Sequence, residues 1–123
     1  MRLLIVDDSS IVRSRIARLL GANGLGETVI VGMAKNGVEA INLFVQTRPD
    51  VVTMDLTMPE MDGVQCTEAM MRLNPEARIL VVSALSDKAT AIKALQKGAQ
   101  GFLYKPFSDE QLLSALGELM AEA

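Results

Sequence analysis

The sequence predicts an α/β fold: a doubly wound, five-stranded parallel sheet with five helices on both faces. Three observations carry this. Short apolar runs recur along the 123-residue chain, most without polar alternation, as suits strands buried on both sides. Between successive runs lies one segment of helical periodicity, bounded by capping residues, glycine or proline. Each crossover is one helix long, the connection that parallel strands need. Right-handed crossovers then distribute the helices over both faces, and a ligand site belongs beyond the carboxyl ends of the strands.

Leu3-Leu4-Ile5-Val6 is the first strand, stopping at Asp7-Asp8. Ser9 is placed to cap a first helix whose inner face is Val12, Ile16, Leu19 and Leu20, with Gly21 closing it before a glycine-rich loop at 21–26. Thr28 to Gly32 reads as the second strand. Asn36 caps the second helix, with Val38, Ile41, Phe44 and Val45 as its apolar stripe, and Arg48-Pro49 ends it. Val51 to Met54 is the third strand, running into Asp55. Asp62 and Gln65 stand at capping-box spacing and introduce a third helix through Val64, Ala69, Met70 and Leu73, stopped by Asn74-Pro75.

Arg78 to Val82 forms the fourth strand and ends at Ser83. Asp87 is expected to cap a short Ala-rich helix with Ile92 and Leu95, closed by Gly98; its thin core stripe predicts the most mobile helix. Gly101 to Tyr104 is the fifth strand, followed by Lys105-Pro106. Ser108 and Gln111 form a capping box for the last helix, which carries Leu112, Leu113, Leu116, Leu119 and Met120. No repeat or linker interrupts the pattern, so residues 1–123 read as one domain.

Composition narrows the chemistry. Half of the residues are hydrophobic but only 3% are aromatic, so the core is aliphatic plus eight methionines. No apolar run approaches the ~20 residues of a membrane span, and the first run meets Asp7 too soon for a signal peptide, which points to the cytoplasm. A net charge of −3 argues against a dedicated nucleic-acid binder. There is one cysteine, Cys66, and no histidine, which removes an internal disulfide, a cysteine metal cluster, the usual proton shuttle and the commonest transition-metal ligand. Chemistry must run on carboxylates, hydroxyls, lysine and a hard metal ion.

Those groups collect at the strand ends: Asp7 and Asp8 after the first strand, Asp55 after the third, Ser83 after the fourth, Lys105 after the fifth. Taken singly, each has a plainer role as a cap or a solvated side chain; the joint placement is what points to a site. Converging carboxylates repel and raise one another's pKa. Mg²⁺ relieves this, since it prefers oxygen ligands and keeps several waters. A carboxylate can attack phosphorus to give an aspartyl phosphate, with the cation neutralising one side, Lys105 the other and Ser83 donating a hydrogen bond.

These residues resemble the receiver domain of two-component response regulators. The resemblance rests on Leu4-Ile5-Val6-Asp7-Asp8-Ser9, on Asp55-Leu56-Thr57-Met58-Pro59-Glu60-Met61-Asp62-Gly63, on Val82-Ser83-Ala84 and on Lys105-Pro106-Phe107, and it covers about Arg2 to Leu119. Length makes the chain similar to the stand-alone chemotaxis regulators of that family. The resemblance implies the flavodoxin-like strand order 2-1-3-4-5. It implies that Asp55 accepts phosphate from a histidine kinase. Asp8, Asp55 and the Thr57 backbone carbonyl would hold Mg²⁺, and Asp7 would act through water. It further implies that Ser83 and Lys105 bind the phosphoryl group, that the bond to Pro106 is cis, that Phe102 is the aromatic switch and that small Ala84 leaves the site open. Phe102 stands where Tyr is common and lacks its hydroxyl; Ser83 replaces a commoner Thr. Apolar Leu85, two past Ser83, is expected to hinder an attacking water. The expected partners are a kinase and a protein effector, such as a flagellar motor switch protein or an adaptor, engaged by a monomer.

Two other classes compete. A phosphatase of the haloacid dehalogenase type also uses an Asp nucleophile with Mg²⁺, but it carries a second Asp two residues on, where this chain has Thr57. A flavin or nucleotide carrier would need a phosphate loop; the 21–26 glycines follow a helix and lack the dinucleotide order. The signalling switch, not an enzyme, is the expected reading, with a receiver cut from a larger regulator as its variant.

Overall fold

The computed structural model describes residues 1–23, 28–58 and 61–121. In chain order they form β1 (Arg2–Val6), α1 (Ser10–Asn23), β2 (Val29–Ala34), α2 (Gly37–Thr47), β3 (Val51–Asp55), α3 (Gly63–Leu73), β4 (Arg78–Ala84), a 3₁₀ turn (Leu85–Asp87), α4 (Lys88–Gln96), β5 (Gly101–Lys105) and α5 (Asp109–Ala121). All neighbouring strands are parallel, in the order β2-β1-β3-β4-β5. This is the doubly wound architecture that the continuous apolar runs predict.

Those runs are continuous because each strand feeds two cores. Side chains alternate across a strand. Leu4, Val6, Val52, Met54, Ile79 and Val81 therefore meet the core under α2, α3 and α4. Leu3, Ile5, Val51, Leu80 and Val82 meet Ile16 and Leu20 of α1 and Leu112, Leu116 and Leu119 of α5. β3 is buried along its whole length, which fixes its position and that of Asp55 at its end. The edge strand β2 is only partly covered.

The helix faces correct several expectations. Gly21 does not close α1, which continues to Asn23; the rest of the expected glycine loop, residues 24–26, lies outside the described residues. α2 turns Gly37, Ala40 and Phe44 inward, while Val38 and Val45 are exposed. α3 buries Gly63, Cys66, Thr67 and Met70 and leaves Leu73 exposed. In both helices small residues share the inward face with one large one, Phe44 or Met70, because close approach needs small side chains there. α4 packs through Ala91 and Ala94, with Ile92 exposed.

The caps divide. Asn36 accepts from Glu39 N and Asp62 from Gln65 N, each satisfying an orphan amide of the first helical turn. Ser108 and Gln111 form the reciprocal box: Ser108 N donates to the Gln111 side chain at 2.8 Å and Gln111 N to Ser108 Oγ at 3.1 Å. Asp87 does not cap α4; the chain enters that helix through the 3₁₀ turn, and Asp87 Oδ2 instead accepts from Thr57 Oγ1 at 3.4 Å. α4 ends at Gln96, and the chain leaves it through Gly98, whose φ of 120° is open to glycine at little cost.

Candidate metal and phosphoryl site

Asp55 sits at the end of the most enclosed strand and is 4% exposed. The loop after it folds back tightly. Gly63 N donates to the Leu56 carbonyl at 3.2 Å, and a Cβ on Gly63 would stand 2.5 Å from the Asp55 carbonyl oxygen and 2.6 Å from Leu56 Cα. Both neighbours are backbone and cannot yield, so glycine is what lets α3 begin against Asp55. Pro59 and Glu60 of this loop lie outside the described residues.

Asp7 follows β1 and is 1% exposed. Its amide donates to the Ala34 carbonyl, its Oδ1 accepts from Ser9 N at 2.9 Å and its Oδ2 pairs with Lys105 Nζ at 3.0 Å. Its carbonyl accepts from Arg13 Nη1 at 2.7 Å. Asp8 is exposed. One carboxylate oxygen from each of Asp7, Asp8 and Asp55 lies within 4.8 Å of the others. Lys105 Nζ also reaches Asp55 Oδ1 at 3.6 Å, and Thr57 N donates to the same oxygen at 3.3 Å.

Burial, with the Asp7 charge, pushes the Asp55 carboxyl up to about 6, against the pull of Lys105 and the Thr57 amide. Burial disfavours the Lys105 ammonium, but its hydrogen bond to Asp7 and the two carboxylate charges outweigh that and hold its pKa above the ordinary value. Three carboxylates face one ammonium, so the ionised cluster carries uncompensated negative charge. An all-oxygen donor set of this charge fits a hard divalent cation and suits a soft one poorly. The Asp7 oxygens are already engaged by Ser9 and Lys105, which leaves Asp8 and Asp55 as the more available direct ligands.

Ser83, at the end of β4, is 1% exposed, and its Oγ has no hydrogen-bond partner among the described residues. A buried hydroxyl without a partner is costly unless a ligand completes it. Thr53 Oγ1 is likewise buried without one. Ala84 pairs with Lys105 across β4 and β5 and is partly exposed. The Lys105–Pro106 peptide is cis. Phe102 lies on β5, 45% exposed, with its ring 5.1 Å from that of Tyr104. Leu85 is 65% exposed at the start of the 3₁₀ turn.

The strand-end residues singled out by sequence thus converge on one rim, with Phe102 further back along β5. Sequence reasoning missed the anchors behind them. Arg13 and Arg15 of α1 reach back to the loops behind the rim: one binds the Asp7 carbonyl and the other the Phe107 carbonyl. The link from Thr57 to Asp87 had no signal either, since a contact between two loops leaves no period in the chain.

A parallel sheet with this acidic rim, a lysine opposite it and a buried hydroxyl at the end of β4 fits a receiver domain of two-component signalling. The profile of the response regulator receiver domain matches residues 3–117, and the chain belongs to that family. It is 37% identical over 118 residues to the chemotaxis protein CheY of Thermotoga maritima, spanning 96% of each chain. It is 38% identical over 119 residues to CheY of Bacillus subtilis, spanning 97% of each. Its fold superimposes with a TM-score of 0.90, at 30% identity and over 98% of this chain and 89% of the other, on a chain of the crystallised CheX–CheY–BeF₃–Mg²⁺ complex of Borrelia burgdorferi.

Proposed function

We propose that this receiver domain is a phosphorylation switch whose acceptor is Asp55. The observation that carries the reading is the rim itself: Asp7, Asp8 and Asp55 within 4.8 Å of one another, with Lys105 ion-paired to two of them. An Asp55 carboxylate oxygen attacks phosphorus in line, the bond to the donor's histidine nitrogen breaks, and an aspartyl phosphate forms. A Mg²⁺ held by Asp8, Asp55 and the Thr57 carbonyl, with Asp7 reaching it through water, would neutralise charge on the transferring group. Lys105 binds a phosphoryl oxygen as a compact cation, and the Ser83 hydroxyl donates to another, which gives its buried oxygen the partner it lacks.

The new group carries about −1.5 to −2 charges. It draws Lys105 and Ser83 toward Asp55 and shifts the turn after β4. Phe102, exposed before the event, moves inward, biased by burial alone because it has no hydroxyl to anchor. The face made by α4, β5 and α5 changes and a protein partner reads it: a population shift driven by a local charge. The similarity to CheY proteins over nearly their whole length supports a chemotaxis pathway, with a histidine kinase upstream and a motor or adaptor protein downstream. The match over nearly the whole of both chains supports reading residues 1–123 as one receiver domain.

Asp55→Ala abolishes labelling by acetyl phosphate with Mg²⁺, read by mass spectrometry of the intact protein. Full labelling of that variant would falsify the assignment. Sustained turnover of a generic phosphate ester by the wild type would favour the phosphatase reading instead.

A further inference from the structure

We infer that Arg15 is a positioning residue for Lys105: it fastens the turn after β5 so that the lysine's ammonium stands against Asp55. The inference rests on the phosphoacceptor reading above. Arg15 lies on α1, far from Lys105 in sequence. Its Nη2 donates to the Phe107 carbonyl at 2.6 Å and to Asp109 Oδ1 at 3.0 Å, and its guanidinium carbon stands 4.6 Å over the Phe107 ring. Phe107 is 6% exposed and belongs to the core between α1 and α5. One side chain therefore holds the backbone and the ring face of a buried residue, and also the first residue of α5.

Phe107 is two residues beyond Lys105. Pro106 lies between them with its φ fixed by the ring, so few free torsions separate the tether from the lysine. At the other end of that short segment, Lys105 Nζ meets Asp7 at 3.0 Å and Asp55 at 3.6 Å. Arg13, on the same helix, donates to the Asp7 carbonyl. Helix α1 thus grips the backbone behind both members of the Asp7–Lys105 pair. The ion pair with Asp109 adds little by itself, because Arg15 and Asp109 are 39% and 60% exposed. What matters is the planar fork, which meets a carbonyl and a ring face together; lysine carries the charge without that geometry.

The test is a double-mutant cycle on the rate of phosphorylation by acetyl phosphate at saturating Mg²⁺. Arg15→Met lowers kcat/KM about tenfold, a loss of the size that small misplacements cause, and Arg15→Lys loses most of the same. In a Lys105→Met background, Arg15→Met changes the residual rate by less than about twofold, because the residue acts through the lysine. Mg²⁺ affinity by calorimetry stays that of the wild type. Thermal melts check that each variant is folded, and if Arg15→Met is not, the cycle is read with Arg15→Lys. A wild-type rate in the single variants, or the same loss in both backgrounds, overturns the positioning role. A wild-type protein that takes no label overturns the phosphoacceptor reading and this inference with it; a labelled wild type with an indifferent Arg15 overturns this inference alone.

Discussion

β1 and β3 carry the carboxylates, and α4 and β5 lie where the signal would leave. The two regions are packed very differently. Leu3, Leu4, Ile5, Val51, Val52 and Met54 are all fully enclosed. On α4 only Ala91 and Ala94 are buried, and no residue of β5 is. Phe102 is nearly half exposed, and so is Ile92 on α4. The acidic end is held in a fixed place by two cores, while the far side is covered by small side chains that lose little when they shift. A switch needs that inequality: a rigid acceptor and an inexpensive lever.

The contrast can be broken at its strong side first. Ile5→Ala should cost about 2–5 kcal/mol in urea unfolding, the range for a large-to-small change in a full core. Phe102→Ala should cost less than about 1 kcal/mol, as expected of an exposed position. Equal losses would mean that the two regions are packed alike. Gly63→Ala should follow at about 1–3 kcal/mol, since the new methyl meets the Asp55 and Leu56 backbone. An unchanged midpoint would show that the loop behind Asp55 has slack.

The rigid side also carries an electrostatic cost. With the Asp55 pKa raised from 3.8 to about 6, the folded protein binds more protons than the unfolded chain between those values. Without divalent cation, this residue's contribution is therefore lost as pH rises from about 4 to about 6 and does not return above that. Asp55→Asn removes the penalty. It should stabilise the cation-free protein near pH 7 by about 1–2 kcal/mol, after allowance for water at the open rim. A variant no more stable than the wild type at pH 7 would show that Lys105 already compensates the charge in full. The smallest effect belongs to the lever's first residue: Leu85→Glu should shorten the acyl-phosphate half-life by a few-fold, and an equal or longer half-life removes the shielding role of Leu85.

Much of this was legible in the sequence for a physical reason. A strand buried on both faces writes itself as an unbroken apolar run, and a parallel sheet puts polar residues at one end of each run. That is why Asp7, Asp8, Asp55, Ser83 and Lys105 could be read as neighbours. Helix orientation was less legible. α2 turns in Gly37 and Ala40 beside Phe44 because the approach there is close, so the exposed apolar residues Val38 and Val45 mislead a reading by hydrophobic stripe. Contacts between distant loops were not legible at all. The Arg15–Phe107 fork and the Thr57–Asp87 hydrogen bond join residues whose spacing has no periodic meaning. Asp87 shows the confusion directly, because an acid before a helix has the composition of a cap whether or not it serves as one.

The central claim is that one carboxylate on the rigid side does the chemistry and the others set its charge. It is tested most directly by treating the full chain with acetyl phosphate, with and without Mg²⁺, and locating the product by borohydride reduction and peptide mass spectrometry. A single phosphoryl group gained only with Mg²⁺, and a reduced residue at position 55, is the predicted result. Label on Asp7 or Asp8, or equal labelling without the cation, would contradict it.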